Sequence, residues 1–312
     1  MNHHLVVCCV LACVWCQSAL PQTMTVHTKN GQQPFVISEI DSITFSSGSA
    51  NQVGEWVTVP AGEYTYGEGD TVRTLDYDFS IMKYEVTNAQ YLQYLQEALA
   101  SGEVTVSGST VRGQYPGDAK WIAGIRDFYI LGSNNSGLNK FGQINYVDNK
   151  FVLTPDNSYT NHPVVYVTWF GAWAYANHYN LRLPTEEEWE KAARGTTAYD
   201  YPWGNSITQG DANYSGSGDP YTDGTTPVGY YNGTAYGTFQ TNNRPGPYGA
   251  YDLAGNAWEW TDSFFGGTSP TGRVLRGGSW YYGTTYLRTW YRISNGPAYG
   301  FSFYGFRCAR TN

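Results

Sequence analysis

Apolar positions along this chain recur in three rhythms, and each predicts a different element. In "TNAQYLQYLQEAL", Tyr91, Leu92, Leu95 and Leu99 fall at helical spacing behind Thr87 and Gln90, which form a capping box, so a helix starts there. From Thr168 through "WFGAWAYANHY" nearly every position is apolar, the pattern of a buried helix. "PTEEEWEKAARG" carries the strongest helix punctuation: Thr185 with Glu188 as a capping box, acids in the first turn, Lys191 and Arg194 late, Gly195 as the stop. Near the start, Val26 and His27, then "PFVISEI" and "ITF", alternate around the turn "KNG" and predict a β-hairpin over residues 24–46. "SSGSANQ" is a flexible joint, and the main domain runs over 53–312.

The third rhythm is a lack of one. From Tyr199 to Gly249 the chain is almost wholly Gly, Asn, Asp, Ser, Thr, Tyr and Pro. A loop that long inside a domain requires something to organise it. Short strands, long loops and three helices predict a loop-rich α+β fold.

Composition narrows the function. Of 312 residues, 17% are aromatic and only 14% charged, so the chain does not read as disordered. A net charge of -8 excludes a groove for nucleic acid, whose phosphates need a basic face. The start, "MNHHLVVCCVLACVWCQSALPQ", is a polar cap, a short apolar run and small residues, which predicts an export signal over residues 1–20. "VLAC" ending at Cys13 resembles a lipobox, so two outcomes stay open: plain cleavage, or a lipidated Cys13 tethering the protein to a membrane surface. Either places the protein outside the cytoplasm, at the cell surface, in the periplasm or beyond. Four of the five cysteines lie in that leader, leaving Cys308 alone and no internal disulfide.

Four separated segments then resemble one family. "YEVTNAQYLQYL", "NHPVVYVTW" with "LRLPTEEEWEKAARG" and "YPWGN", "GAYDLAGNAWEWTDSF", and "RVLRGGSW" with "GFRCAR" are similar to the formylglycine-generating enzyme, or sulfatase-modifying factor, family from about Glu55 to Arg310. The resemblance implies a C-type-lectin-like fold. It also implies structural calcium as the organiser of the long loops. One site would use Asp252, the Gly255 and Ala257 carbonyls and Glu259; a second would use Asn213, the Tyr214 carbonyl, Asp223 and the Thr225 carbonyl. Calcium, a hard ion, suits such a mix of carboxylates and carbonyls.

The enzymes of that family hold copper with two cysteine thiolates placed after "GGS", and the matching positions here are Tyr282 and Leu287. Neither ligates copper. Cys308 falls where the family places a disulfide cysteine, but the partner position near Ala176 has none. Other branches bind iron through His, and His162 and His178 do not form such a pattern. Ser279, His178 and an acid form a triad on paper only, with no nucleophile elbow. The reading is a chain with no catalytic residues and no copper.

What remains is the segment 281–304, which contains no Lys, Glu, Gln, Met, Asp or His. Tyr281, Tyr282, Tyr286, Tyr291, Tyr299, Phe301, Phe303 and Tyr304 are set among Gly283, Ile293, Ser294 and Asn295 without a strand period, a composition like that of an antibody paratope. The frame "GGSW…LR…W.R…P…GFR" resembles the variable proteins of diversity-generating retroelements, with Arg288, Trp290 and Arg292 as scaffold. That implies a Tyr-rich, diversified ligand-binding face. Its partner, protein, phage, glycan or cell surface, is not named by the sequence.

Overall fold

The computed structural model describes residues 23–28, 31–36, 54–132, 143–154, 157–266 and 272–311. The export signal, Cys13 and the "ITF" strand lie outside these. The chain divides into two units, Met1–Ser47 and Gly48–Asn312. In the first, β1 (Thr23–Thr28) and β2 (Gly31–Val36) pair antiparallel, with Thr28 opposite Gly31.

The second unit opens with β3 (Trp56–Val59), the hairpin β4 (Gly62–Tyr66) and β5 (Thr71–Leu75), and β6 (Phe79–Met82). Helix α1 (Asn88–Ser101) follows, capped by Thr87 and Gln90 and ended by the left-handed Gly102. Next come the meander β7 (Val104–Ser107), β8 (Thr110–Tyr115) and β9 (Gly124–Ile130), and the hairpin β10 (Gln143–Val147) and β11 (Lys150–Thr154). Helix α2 spans Trp169–His178 behind the cap Thr168, and α3 spans Glu186–Arg194 behind Thr185 and Glu188. The long loop contains only β12 (Ala235–Tyr236) and β13 (Phe239–Gln240). Last come β14 (Trp258–Phe264), β15 (Arg273–Arg276), β16 (Arg292–Asn295), β17 (Tyr304–Gly305) and β18 (Ala309–Thr311).

Two sheets decide where the final segment sits. β18 pairs with β6, which pairs with β3, so the end of the domain is knitted to its beginning. The other sheet runs β16-β15-β14-β17, with β17 parallel to β14. The segment 281–304 therefore follows the inner strand β15, supplies the edge strand β16, and crosses to the opposite edge at β17. Beneath it lies an aromatic core in which Trp169, Trp258 and Trp260 are fully buried with Tyr91, Tyr175 and Phe306. α2 reaches this core because Gly171 has no side chain: a Cβ there would lie 2.0 Å from the Phe128 carbonyl oxygen of β9. Such contact leaves room for no other residue.

The long loop is organised by short side chains. Asp211 accepts from Thr208 N–H and Oγ1, Asn242 and Arg244, which hold its carboxyl below the usual range against the opposing effect of burial. Asp219 accepts from Ser217, Tyr231 and the Tyr221 N–H. Tyr230 stacks on Tyr236 with ring centres 4.0 Å apart. All of these bonds come from inside the loop itself, and the shortest-range ones follow a pattern typical of Asp and Asn in turns.

Candidate functional site: an aromatic face on a buried polar hub

Buried carboxylates meet where the loop, β14 and the final segment converge. Arg307 is fully buried and gives every donor away: Nε and Nη2 to the two oxygens of Glu259 at 2.7 Å, Nη2 to the Tyr251 carbonyl, Nη1 to the Met82 and Lys83 carbonyls. Glu259 also accepts from Trp189 Nε1 at 2.7 Å. Beside this pair, Glu85 accepts from Asn256 Nδ2 at 2.6 Å and from the Ala257 N–H, and Asp252 accepts from the Gly229 N–H. Three carboxylates thus face one guanidinium. Burial, then repulsion from Asp252 and Glu259, pushes the Glu85 carboxyl well up; burial chiefly, with repulsion from Glu259, pushes Asp252 up to about 6.

This arrangement contains the side chains of the first expected calcium set. Both oxygens of Glu259 accept bonds, Oε2 from Arg307 Nε and Trp189 Nε1 and Oε1 from Arg307 Nη2 alone, which leaves Oε1 a further lone pair. Asp252 and Glu259 carry carboxylates, and Gly255 and Ala257 supply carbonyls, a mix of oxygens of the kind calcium takes. Of the second set, Asn213, Tyr214 and Asp223 line one cavity, and Thr225 lies buried behind it against His162. Asn213 turns its amide nitrogen to the Gly224 carbonyl and Asn256, and the Tyr214 carbonyl accepts from Ser217. Asp223 is then the set's single carboxylate, and it is exposed. Among the described residues no group of three His, Cys, Asp or Glu is arranged to hold a metal ion.

Asn256 ties this hub to the surface. With φ at 61° it accepts from Thr226 N–H, bonds Glu85, and offers its carbonyl to the Trp280 N–H. From Trp280 the segment is fixed at its scaffold residues. Trp290 Nε1 and Arg288 approach Asp200, and Arg292 reaches Glu186 at 2.8 Å. Buried Arg276 pairs with Glu190 and holds the Thr289, Trp290 and Tyr291 carbonyls. The "GG" of the frame is needed here: Gly278 sits at φ 77°, and a Cβ would lie 2.9 Å from the Tyr286 carbonyl oxygen.

Between these anchors, rings form a ladder. Tyr299, Phe301, Phe303 and Tyr281 stack in sequence at centroid spacings of 5.9, 5.5 and 5.4 Å, with interplanar angles of 7°, 16° and 13°. Tyr299, Phe301 and Tyr281 are exposed at 54%, 39% and 57%. Tyr282 packs edge-on to Tyr281 and Phe303 and against Tyr286, and Tyr286 against Tyr291, forming a half-buried second row. Gly283 is exposed, while Ile293, Ser294 and Asn295 lie half-buried on β16.

Two sequence expectations are corrected. Tyr304 is not on the face: it is 4% exposed, edge-on to Trp260, with its hydroxyl receiving a bond from Asn295 Nδ2. Part of the aromatic run also alternates: Tyr299, Phe301 and Phe303 occupy every second position and stack on one side, although they lie outside any strand. The lost copper positions part company: Tyr282 joins the second row, and Leu287 is fully buried with Tyr201, Ala212 and Ala254. His162 is buried with its pKa lowered to about 4 by desolvation, and His178 pairs with Glu97 and Glu103. Ser279 Oγ has no hydrogen-bond partner, so no triad forms.

Known proteins place this geometry in context. The sulfatase-modifying factor enzyme 1-like domain model matches residues 43–312. A serine/threonine-protein kinase pkn1 of Chlamydia pneumoniae is 33% identical over 280 residues, 82% of this chain and 38% of that protein. The chain thus spans well under half the length of the Chlamydia relatives it matches. The formylglycine-generating enzyme of Bos taurus is 29% identical over 81% of the chain and 74% of its own length. The inactive C-alpha-formylglycine-generating enzyme 2 of the same species is 39% identical over 47% of the chain and 50% of its own length. The family therefore includes both active and inactive members. The Treponema denticola variable protein 1 has the same fold, with a TM-score of 0.51 at 20% identity, covering 82% of this chain and 95% of that one. By its fold and by the match across its main domain, this chain belongs to the sulfatase-modifying factor enzyme 1-like family.

Proposed function

We propose that this protein is an exported, non-catalytic binding protein that presents a Tyr-rich, retroelement-diversified face on a formylglycine-generating-enzyme-type fold. The observation that carries the reading is the exposed ladder Tyr299–Phe301–Phe303–Tyr281, standing over the place where thiolate ligands are replaced by Tyr282 and Leu287. Stacked rings present a flat amphipathic surface at low rotamer cost, as paratopes do. The scaffold beneath is over-determined: Arg276, Arg292 and Trp290 anchor the segment by groups that belong to α3 or to Asp200, not to the exposed rings. Ring positions are thereby free to change without loss of the frame. An exposed apolar surface of this kind favours a partner.

Two measurements test this. Copper(I) titration with oxygen uptake on a cysteine-containing peptide is expected to show neither stoichiometric binding nor turnover. Sequencing of codons 280–307 across many cells of the source strain is expected to show substitutions concentrated at the ring positions and absent from Arg288, Trp290 and Arg292. Copper-dependent turnover would make the chain an enzyme, and an invariant segment would leave a fixed binding face without diversification.

A further inference from the structure

A cavity of about 700 Å³ adjoins the ladder, and Tyr281 belongs to both. Its walls carry the aromatic residues Tyr214, Tyr221, Trp280 and Tyr281 and two charged side chains, Asp219 and Asp223. Among the described residues, no Lys, Arg or His lines it. Its volume falls within the range of roughly 300–1,000 Å³ typical of pockets that bury a ligand. The loop that forms it is joined to the face directly, since the Ser215 N–H donates to the Tyr282 carbonyl at 3.0 Å.

The charge pattern selects an occupant. Asp219 is held rigid: its carboxylate accepts at 2.6 Å from Ser217 and from Tyr231 and the Tyr221 N–H. Asp223 is exposed, in the left-handed region at φ 62°, and no described residue bonds its side chain. Two negative charges in a cavity that also carries aromatic side chains attract a cation and repel an anion. Phosphates and acidic sugars are therefore disfavoured, and a neutral sugar would leave the charge unused. We infer that this cavity receives a Lys- or Arg-bearing segment of a protein partner whose remaining surface lies on the ring ladder. The inference rests on the binding-face reading and names the partner's chemistry. Basic side chains in an aromatic-walled acidic pocket are the kind of buried anchor on which interfaces concentrate their affinity.

The test uses the purified protein and a capped tetralysine peptide, with capped tetraglutamate, maltotriose and calcium chloride as comparison probes, by calorimetry at low and at physiological salt. Tetralysine is expected to bind, to weaken as salt rises, and to lose at least about five-fold in affinity in Asp223→Asn. Asn tolerates the left-handed backbone, so this variant retains the loop. Tyr281→Ala is expected to weaken tetralysine as well, whereas Tyr299→Ala, at the far end of the ladder, is expected to leave it unchanged. Tetraglutamate and maltotriose are expected not to bind. Failure of tetralysine at low salt, equal binding by Asp223→Asn, preferential binding of maltotriose, or calcium occupying the cavity in its place would each overturn the inference. If it fails while substitutions still concentrate on the ring positions, only the cavity's occupant is wrong; copper-dependent turnover would sink the binding-face reading itself.

Discussion

Replacing Asp252 by Asn should make this protein more stable at neutral pH, although Asp252 is a buried, hydrogen-bonded residue. Its carboxylate shares its surroundings with Glu85 and Glu259, and among the described residues the cation that acts on it is Arg307, which is committed to Glu259. Burial chiefly, and Glu259 secondarily, raise its pKa from 3.8 to about 6. A carboxyl with a raised folded-state pKa keeps its proton longer in the fold than in the unfolded chain. Stability is therefore full below about pH 4 and is lost as pH rises through about 6. At about 1.4 kcal/mol per pH unit, the loss comes to about 3 kcal/mol. Asn removes this penalty but exchanges a charge-assisted bond from the Gly229 N–H for a neutral one, a cost of about 1 kcal/mol. The net gain at pH 8 is about 2 kcal/mol, or roughly 4–8 °C in Tm for a domain of this size. Urea unfolding of both proteins from pH 4 to pH 8, in calcium-free buffer, measures it. The difference between the curves should open between pH 4 and 6 and stay level above. An Asp252→Asn protein less stable than its parent at pH 8 would refute the reasoning. Loss of a calcium-dependent stabilisation in the variant would restore Asp252 as a ligand.

Other outcomes follow from the same contacts. Arg307→Met removes the one guanidinium facing three buried carboxylates and should cost about 3–5 kcal/mol in urea unfolding; a loss below 1 kcal/mol would show that the hub is already neutralised in another way. His162 has its pKa lowered to about 4, so the parent should lose about 3 kcal/mol as pH falls from 6.5 to 4, a loss that is absent in His162→Asn. Superimposable acid limbs for the two proteins would contradict this. Phe301→Ala should change stability by less than about 1 kcal/mol, because the ring is 39% exposed, lies between Tyr299 and Phe303 of the ladder, and meets the buried Tyr304 only edge-on. A collapse in Tm would make the ladder a structural element.

Much of this protein was determined by the sequence alone. All three helices and their caps were legible, because a capping box at Thr87–Gln90 or Thr185–Glu188 is a local contact between residues three apart. The scaffold of the final segment was also visible, in the fixed spacing of "RGGSW" and "GFRCAR". Glu85, Asn256 and Arg307 were not. Each sits within a recognisable motif, yet their meeting depends on β17 returning beside β14 and on the loop at Asn213 closing over both. The same meeting bears on the calcium expectation: Glu259 has the right chemistry for a ligand, and only the tertiary structure places both its oxygens against Arg307. On the face, the sequence supplied the ring inventory, and the tertiary structure separated rings that stack outward from one, Tyr304, that turns in. Composition and local hydrogen bonds are carried by neighbouring residues, whereas burial and charge pairing are set by residues far apart in the chain, 48 positions for Glu259 and Arg307 and 171 for Glu85 and Asn256.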